Sequence, residues 1–570
     1  MTGGTGNRAA RSAVPRLRGI GVSAGMAVGP VVRVTEPVRP PENEPAALDA
    51  QAASREVAAA FELVAAELER RAALAQATAA DILTATAMMA RDPSLLAGAQ
   101  RRLDDGEGPA TAVDGAVEEV CASLAAAGGY LAERVTDLRD VRDRVVAHLI
   151  GAPQPGLPEY DQPSVLIAHD LAPADTAGLS PATVLGIVTE AGGPTSHTAI
   201  LAAQLGIPAV VGTGPLTLDD GVVVAVDGET GEIVVGPDEA VQVEWMRRAG
   251  ARNEQLSRFS GPGRTRDGVP VSLLANIGTA EDATAAAGQD LEGVGLFRTE
   301  FLYLDRASAP SVEEQTQSYL AVLRPFGERR VVVRTLDAGA DKPLPFAPTG
   351  DEENPALGVR GLRLGRRGGS LLSDQLDALA AAAGQCAADV WVMAPMIATA
   401  EEATWFADRA RAAGLSTVGV MVEVPAAALR AQQVLADVDF VSLGTNDLAQ
   451  YTMAADRMLG ELAPLLDPWQ PALLDLIAMT CAGAGGSKPV GVCGEAGGDP
   501  LLAPVLAGLG VSSLSMAPSR IPAVRAMLAL HDRDRCAQMA AAARAAADAG
   551  AARAAVMDLL DSEARSITGR

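Results

Sequence analysis

Apolar residues recur with helical spacing in two stretches early in the chain. The first set is Val57, Phe61, Val64 and Leu68, and the second is Leu131, Val135, Leu138 and Val145. Side chains spaced by three and four residues line one face of a helix. The pattern therefore predicts a helical subdomain over residues 41–150. Helix breaks at Asp92 with Pro93 and at residues 106–109 divide this subdomain into helical hairpins.

Short runs of Val and Ile lie on both sides of this helical stretch. They occur in residues 29–35 and then repeatedly between residues 164 and 236, separated by Gly and Pro, which is typical of β-strands. The strand before the helices needs a sheet to join. Residues 16–40 and 151–236 are therefore predicted to form one discontinuous α/β domain into which the helical subdomain is inserted.

After a predicted linker helix over residues 237–263, short apolar strands alternate with Ala-rich helices. The strands are predicted at 271–277, 293–299, 330–337, 391–396, 417–423, 440–446, 489–494 and 512–518. Eight such repeats within residues 264–570 predict a (β/α)8 barrel of the TIM type, whose chemistry gathers at the C-terminal ends of the strands. The run 260–268, rich in Gly and Pro, is expected to be a flexible connection.

Length and charge restrict the function classes. The chain has 570 residues, which predicts two or three domains, and its formal charge of −25 repels phosphate backbones and anionic lipids. We therefore expect no nucleic-acid partner and no membrane insertion. No apolar run reaches the ~20 residues of a membrane span and no secretory signal is recognised, which predicts a cytoplasmic protein. The five cysteines show no CxxC spacing, which argues against disulfides and zinc.

Charged and polar residues stand where the predicted barrel strands end. These residues are Asn276, Arg298, Arg334, Met396, Glu423, Asn446, Asp447, Cys493, Ser515 and Met516. Guanidinium groups bind phosphate or carboxylate through paired hydrogen bonds, and carboxylates from two strands with open positions suit Mg²⁺. The rim therefore predicts a site for an anion and a divalent cation. Cys493 could protonate a carbanion there or be a small buried residue.

A second candidate site is the Gly-rich turn at residues 192–197, between a predicted strand and a helix. Thr195 or Ser196 can cap this helix, and its backbone N–H groups favour an anion. The imidazole of His197 could accept a phosphoryl group at this position. The alternatives are a histidine packed at a helix start for structural reasons, or His169, which ends a strand.

Eight motifs, taken together and in order, closely resemble the phosphoenolpyruvate-protein phosphotransferases, the Enzyme I family of the bacterial sugar phosphotransferase system. The motifs are GIGVSAGMAVGP, GGPTSHTAILAAQLGIPAVVGT, VGLFRTEFLYLDR, VVVRTLDAGADKP, ENPALGVRGLR, GVMVEVPAAA, SLGTNDLAQYTMAADR and GVCGEAGGD. The resemblance implies that the small α/β domain is a swivelling phosphohistidine domain with His197 as the phosphorylated residue. It also implies that Thr176 is the hydroxyl partner of His197, supported by Thr195, Ser196 and Lys342.

The resemblance also assigns roles in the barrel. It implies that phosphoenolpyruvate is held by Arg298, Arg334, Asn446, Asp447 and Arg457. Glu423 and Asp447 are implied to bind Mg²⁺, and Cys493 to protonate enolpyruvate. The helical subdomain is implied to dock the carrier protein HPr, and the barrel to form a homodimer.

One departure from the family and two alternative functions stay open. Pro194 replaces a frequent Arg before the Thr-Ser-His run, so phosphate stabilisation there is expected to rest more on backbone donors. The chain could instead be related to phosphoenolpyruvate synthase or pyruvate phosphate dikinase, but it has no room for their nucleotide-binding domain. It could also be a non-catalytic docking protein, against which the intact rim residues argue.

Overall fold

The structure, a computed structural model, describes residues 15–568 except 24, 73–76, 128, 159–161, 172–178, 180–182, 194–195, 304–305, 307, 340–343, 348–349, 351, 368 and 458. The chain divides into two compact units, Met1–Ala251 and Arg252–Arg570. None of the helices in the part of the chain described here is both long and apolar enough to span a membrane.

The first unit contains one sheet and a group of helices. Its strands are β1 Arg16–Arg18, β2 Ile20–Ser23, β3 Met26–Arg33, β4 Ser164–Ala168, β5 Val184–Thr189, β6 Ala209–Val211, β7 Val223–Asp227 and β8 Glu232–Val235. Its helices are α1 Ala50–Ala72, α2 Ala77–Ala90, α3 Pro93–Asp104, α4 Pro109–Ala127, α5 Gly129–Leu149 and α6 His197–Leu205, and α7 Glu239–Ser257 crosses the division between the units.

The sheet shows that the helical subdomain is an insertion. Its strand order is β1-β8-β7-β3-β4-β5-β6-β2. β3 and β4 are parallel neighbours, with Val31 opposite Val165, and α1 to α5 lie between them in sequence. Along β4, Val165 and Ile167 join one apolar cluster and Leu166 joins another, so both faces of the sheet are covered. The predicted insertion is confirmed, whereas the short strands β1 and β2 were not predicted.

The helices of the insertion end where the sequence predicts breaks. Asp92 caps α3, its carboxylate accepting from the N–H of Ser94 at 2.8 Å, and Pro93 is the first residue of that helix. Pro is well tolerated at this position because the N–H it lacks would be unbonded anyway. In the first set with helical spacing, Val57, Phe61 and Leu68 pack inward and are at most 2% exposed.

The second unit is a closed barrel of eight parallel strands, which confirms the predicted (β/α)8 fold. Its strands are β9 Ser272–Ile277, β10 Gly293–Arg298, β11 Arg330–Arg334, β12 Asp389–Ala394, β13 Thr417–Val422, β14 Phe440–Leu443, β15 Val490–Val492 and β16 Ser513–Met516. The barrel closes where β16 pairs with β9. Side chains that include Leu296, Val332, Met393 and Met421 form an apolar cluster in its interior, so the barrel is a packed core.

Helices follow the strands and continue after the last strand. They are α8 Ala280–Ala287, α9 Val312–Leu323, α10 Leu362–Arg366, α11 Leu371–Ala383, α12 Ala400–Ala412, α13 Pro425–Leu429, α14 Ala431–Val434, α15 Thr445–Met453, α16 Pro471–Ala484, α17 Leu502–Leu509, α18 Ile521–Leu530, α19 Arg533–Arg544, α20 Ala549–Asp558 and α21 Ser562–Ile567.

The run 260–268, expected to be a flexible connection, is hydrogen-bonded to the barrel. The N–H of Gly261 donates to Asp290 at 2.8 Å and that of Gly263 to Glu292 at 2.9 Å, and the N–H of Arg266 donates to the carbonyl of His531 at 2.9 Å. The expectation of a flexible segment here was therefore wrong. Its glycines serve turns, as at Gly261 with a φ of 80°, which explains the misleading composition.

Candidate functional site

Arg298 and Arg334 are the last residues of neighbouring barrel strands and lie directly opposite each other in the parallel register. Arg334 is buried and pairs with Glu300 at 3.0 Å and with Asp337 at 3.2 Å. Burial alone would lower the pKa of Arg334, but these carboxylates raise it. Arg298 makes no ion pair with a described residue, and burial together with the charge of Arg334 lowers its pKa. An unmatched guanidinium at the mouth of the barrel is suited to an anionic ligand.

Three further ionic residues at this mouth were missed by sequence reasoning. Glu300 accepts hydrogen bonds from Arg334 and from the N–H of Asp337, both at 3.0 Å. Asp337 also accepts from the guanidinium of Arg360 at 3.2 Å, and Arg360 is 2% exposed. The only sequence signal for Glu300 and Asp337 was their closeness to the strand-end arginines. They lie two residues after Arg298 and three residues after Arg334, respectively.

Glu423 directly follows β13 and is 1% exposed. One carboxylate oxygen accepts from the N–H of Met396 at 2.6 Å, while Oε2 is buried without a hydrogen-bond partner. Burial, followed by the negative charges of Asp447 and Asp337, raises the pKa of Glu423 to about 8. Met396 has a φ of 60°, which is uncommon for a residue other than Gly, and such backbone conformations cluster at functional sites.

Asp447 lies in the first turn of α15, and its side chain approaches Glu423 closely enough to perturb it. Its Oδ1 is buried without a hydrogen-bond partner and lies 3.8 Å from a guanidinium nitrogen of Arg457. Gly444 leaves room for the carboxylates, since a Cβ there would lie 2.7 Å from Glu423 Oε2. Buried acceptor atoms without donors are suited to a cation.

Asn446 and Cys493 link the ends of β14 and β15. Asn446 Oδ1 accepts from the N–H of Glu495 at 3.0 Å, and Gly494 permits this approach because a Cβ there would lie 2.9 Å from that oxygen. Cys493 is buried, with Sγ 3.5 Å from the carbonyl of Leu443. Burial raises the pKa of its thiol to about 11, so the sulfur carries a proton at neutral pH.

The Gly-rich turn has the predicted geometry at its helix start. α6 begins at His197, and Ser196 is its N-cap, with Oγ accepting from the N–H of Ala199 at 3.3 Å. Gly192 has a φ of 89°, which Gly adopts without strain. Thr198 donates to Asp170 at 3.0 Å and so ties the start of α6 to the loop after β4. The backbone N–H groups of a helix start favour a phosphoryl group.

Three of the predicted site residues, Thr176, Thr195 and Lys342, lie outside the described residues.

The other histidines have different surroundings. His169 is exposed, with Nδ1 3.4 Å from Glu190, and stands in the loop after β4. His531 is buried, with Nδ1 2.7 Å from the carbonyl of Met527, and burial lowers its pKa. His148 is exposed near the end of α5. None of these three stands at the start of a helix.

Comparison with known proteins gives matches along most of the chain. Three family profiles match: "PEP-utilising enzyme, N-terminal" over residues 18–134, "mobile domain" over 160–231 and "PEP-binding domain" over 252–533. A phosphoenolpyruvate-protein phosphotransferase of Streptomyces coelicolor is 54% identical over 96% of this chain and 99% of its own length.

Two further relatives are less similar. A multiphosphoryl transfer protein of Xanthomonas campestris is 41% identical over 90% of this chain and 64% of its own length. A phosphoenolpyruvate-protein phosphotransferase of Haloferax volcanii is 41% identical over 80% of this chain and 82% of its own length.

Proposed function

Since the chain belongs to the phosphoenolpyruvate-protein phosphotransferases, enzymes that move a phosphoryl group from phosphoenolpyruvate to protein, we propose that His197 is its phosphorylated residue. The acceptor that follows is a histidine of the carrier protein HPr, and pyruvate is released. In this role the protein performs the first step of sugar uptake by the phosphotransferase system.

The observation that carries the barrel's part in this proposal is the pair of arginines at matched strand ends. Phosphoenolpyruvate carries a carboxylate and a phosphate a few atoms apart, and two guanidinium groups in register can engage both. Arg334 is held in place by ion pairs with Glu300 and Asp337. Arg298 makes no ion pair with a described residue, so its guanidinium can bind the ligand. Asn446 and Arg457, which stand beside Asp447 and Glu495, complete the binding site.

The residues proposed to hold Mg²⁺ fit that ion. Glu423 and Asp447 each present a buried oxygen without a hydrogen-bond donor. No group of three or more His, Cys, Asp or Glu side chains suited to a metal occurs among the described residues, and Mg²⁺ is usually held by one or two carboxylates with substrate oxygens and water. When bound, the ion neutralises negative charge on the substrate. Glu423 is oriented for this role by the N–H of Met396.

The chemical step then divides between two residues of this chain. A ring nitrogen of His197 attacks phosphorus, the bond between phosphorus and the bridging oxygen breaks, and enolpyruvate departs with that oxygen. Cys493 gives the proton from its sulfur to the methylene carbon of enolpyruvate, which yields pyruvate. The raised pKa of Cys493 supports this role because only a protonated thiol can donate.

Three assignments follow from the same proposal. The helical subdomain docks HPr, so the domain that carries His197 moves between the barrel and the carrier. The barrel forms a homodimer, which sedimentation equilibrium would measure. The protein works in the cytoplasm, where its five free cysteines stay reduced.

Incubation with radiolabelled phosphoenolpyruvate and Mg²⁺ tests the central claim. We expect acid-labile label on the protein without any nucleotide, and transfer of this label to added HPr. His197→Ala is expected to take no label, whereas His169→Ala, the matched control from the same domain, takes it fully. Labelling of the His197→Ala protein, or loss of labelling in His169→Ala, would contradict the assignment.

A further inference from the structure

Behind the two arginines lies a buried network of hydrogen bonds that the mechanism above does not use. Its members, called here the glutamine network, are Thr299, Tyr303, Gln315, Tyr319 and Gln375, and each is at most 1% exposed. Polar side chains this deeply buried are costly unless every group is paired. The burial of five polar side chains at this place in the barrel therefore needs a physical explanation.

Gln375, on α11, bridges the two chain segments that follow the arginines. Its Oε1 accepts from the N–H of Leu336 at 2.9 Å, and its Nε2 donates to Thr299 Oγ1 at 3.1 Å. Thr299 comes directly after Arg298, and Leu336 comes two residues after Arg334. One amide thus ties the end of β10 to the end of β11.

The direction of every hydrogen bond in this bridge is determined. The N–H of Leu336 can only donate, so the amide nitrogen of Gln375 must face Thr299 and Tyr319, which lies 3.1 Å away. Thr299 in turn gives its own proton to the carbonyl of Arg334 at 2.9 Å. Tyr319 gives its proton to Gln315 at 3.2 Å.

The hydroxyl of Tyr319 keeps this donor role at neutral pH because burial raises its pKa to about 12. Tyr303 also donates to Gln315, at 2.7 Å. The glutamine network therefore has a single arrangement of donors and acceptors, and it holds α9 and α11 against the ends of the two strands.

We propose that Gln375 is a positioning residue for phosphoenolpyruvate, because it keeps the guanidinium groups of Arg298 and Arg334 at one fixed spacing. The inference rests on the proposed role of these arginines. Both guanidinium groups must bind the same small molecule, so a small displacement of either strand end weakens substrate binding. Gln375 itself does not touch the substrate, since its amide is fully engaged with Leu336, Thr299 and Tyr319.

Substitutions at two members separate positioning from general stability. Gln375→Leu removes all three bonds of the bridge, and Thr299→Val removes the hydroxyl that links Gln375 to Arg334. Thr299→Ser keeps that hydroxyl and is the conservative variant. The matched control is Thr316→Val, on α9, because Thr316 is 2% exposed and its hydroxyl bonds only backbone carbonyls, of Val312 in its own helix at 2.7 Å and of Ala378 on α11 at 3.4 Å. It thus tests a buried α9–α11 contact that does not reach the strand ends.

The measurement is the rate of protein phosphorylation against phosphoenolpyruvate concentration, with the melting temperature of each variant. We expect KM to rise about ten-fold in Gln375→Leu and Thr299→Val, with kcat changed less than about three-fold. In Thr299→Ser and Thr316→Val the KM is expected to stay within about two-fold of the wild-type value.

The possible failures are distinguishable. A wild-type protein that takes no label would overturn the proposed function itself. A labelled wild type, with Gln375→Leu at the wild-type KM or with Thr316→Val raising KM equally, would overturn only the positioning role. If Gln375→Leu does not fold, the comparison of Thr299→Val with Thr299→Ser decides the matter, because equal KM values in this pair refute the inference.

Discussion

The surroundings of Glu423 predict that the Mg²⁺ affinity of this protein depends on pH. Burial and the neighbouring Asp447 raise the pKa of Glu423 to about 8, so at pH 7 the carboxyl is mostly protonated and Mg²⁺ must displace a proton. Because this pKa lies above its ordinary value of 4.5, the folded protein holds a proton that the unfolded chain has lost. The contribution of Glu423 to the stability of the metal-free protein is therefore present below about pH 4.5 and is lost as pH rises to about 8.

The size of the effect follows from the ionised fraction of Glu423. With a pKa of about 8, the carboxyl is about one-tenth ionised at pH 7, half at pH 8 and nine-tenths at pH 9. The Kd for Mg²⁺ is expected to fall about five-fold from pH 7 to pH 8 and about two-fold from pH 8 to pH 9. Each ion bound at pH 7 should release about 0.9 proton.

Titration calorimetry at these three pH values, in two buffers of different ionisation enthalpy, measures both the Kd and the protons released. Glu423→Gln is the control, because the amide oxygen can still accept from Met396 but has no proton to lose. We expect Glu423→Gln to bind Mg²⁺ weakly, with a Kd that does not depend on pH and without proton release. A wild-type Kd equal at pH 7 and pH 9, without proton release, would refute the reasoning.

Five further substitutions, two of them as controls or comparisons, give three more tests of the site. Cys493→Ala is expected to slow pyruvate formation roughly 100-fold while leaving the melting temperature nearly unchanged. Gly494→Ala places a Cβ 2.0 Å from a neighbouring hydroxyl and should cost about 1–3 kcal/mol in urea unfolding, whereas Gly384→Ala, with its nearest contact at 3.6 Å, should change stability by less than about 0.5 kcal/mol. Arg334→Met leaves the buried carboxylate of Glu300 without an ion pair, and Asp337 with Arg360 alone, and should lose about 3–5 kcal/mol of stability. Arg298→Met should lose substrate binding but little stability. Equal losses of stability would contradict the different pairing of the two arginines.

The barrel and its rim could be predicted because parallel strands carry two regular signals. Short apolar runs alternate with helices, and closure of the sheet places every strand end at the same mouth. The charged residues near the ends of the predicted strands included Arg298 and Arg334, which the register of the folded barrel places opposite each other. The insertion was predictable for a similar reason, since an isolated strand such as β3 needs a partner.

The rest of the site could not be predicted because it depends on distances that the sequence does not contain. Glu300 and Asp337 lie beyond their strands, and their ion pairs with Arg334 exist only in the folded barrel. Gln375 lies within a helix, away from every predicted strand end, and nothing in the sequence around it indicates a role in the site. The run 260–268 misled because Gly and Pro are common in flexible linkers and also in the tight turns that it forms.

The charges at the mouth of the barrel bear on the proposed roles of phosphoenolpyruvate and Mg²⁺ there. Arg520, which follows β16, also acts electrostatically on Glu495. The described arginines around the site are thus Arg298, Arg334, Arg360, Arg457 and Arg520, and the carboxylates are Glu300, Asp337, Glu423, Asp447 and Glu495. Once a cation has displaced the proton of Glu423 and all five carboxylates are ionised, the ten charges cancel, so the arginines alone provide hydrogen-bonding geometry without net attraction. A bound divalent cation makes the same mouth positive in a chain whose overall charge is −25. Substrate and metal should therefore strengthen each other's binding by the same factor.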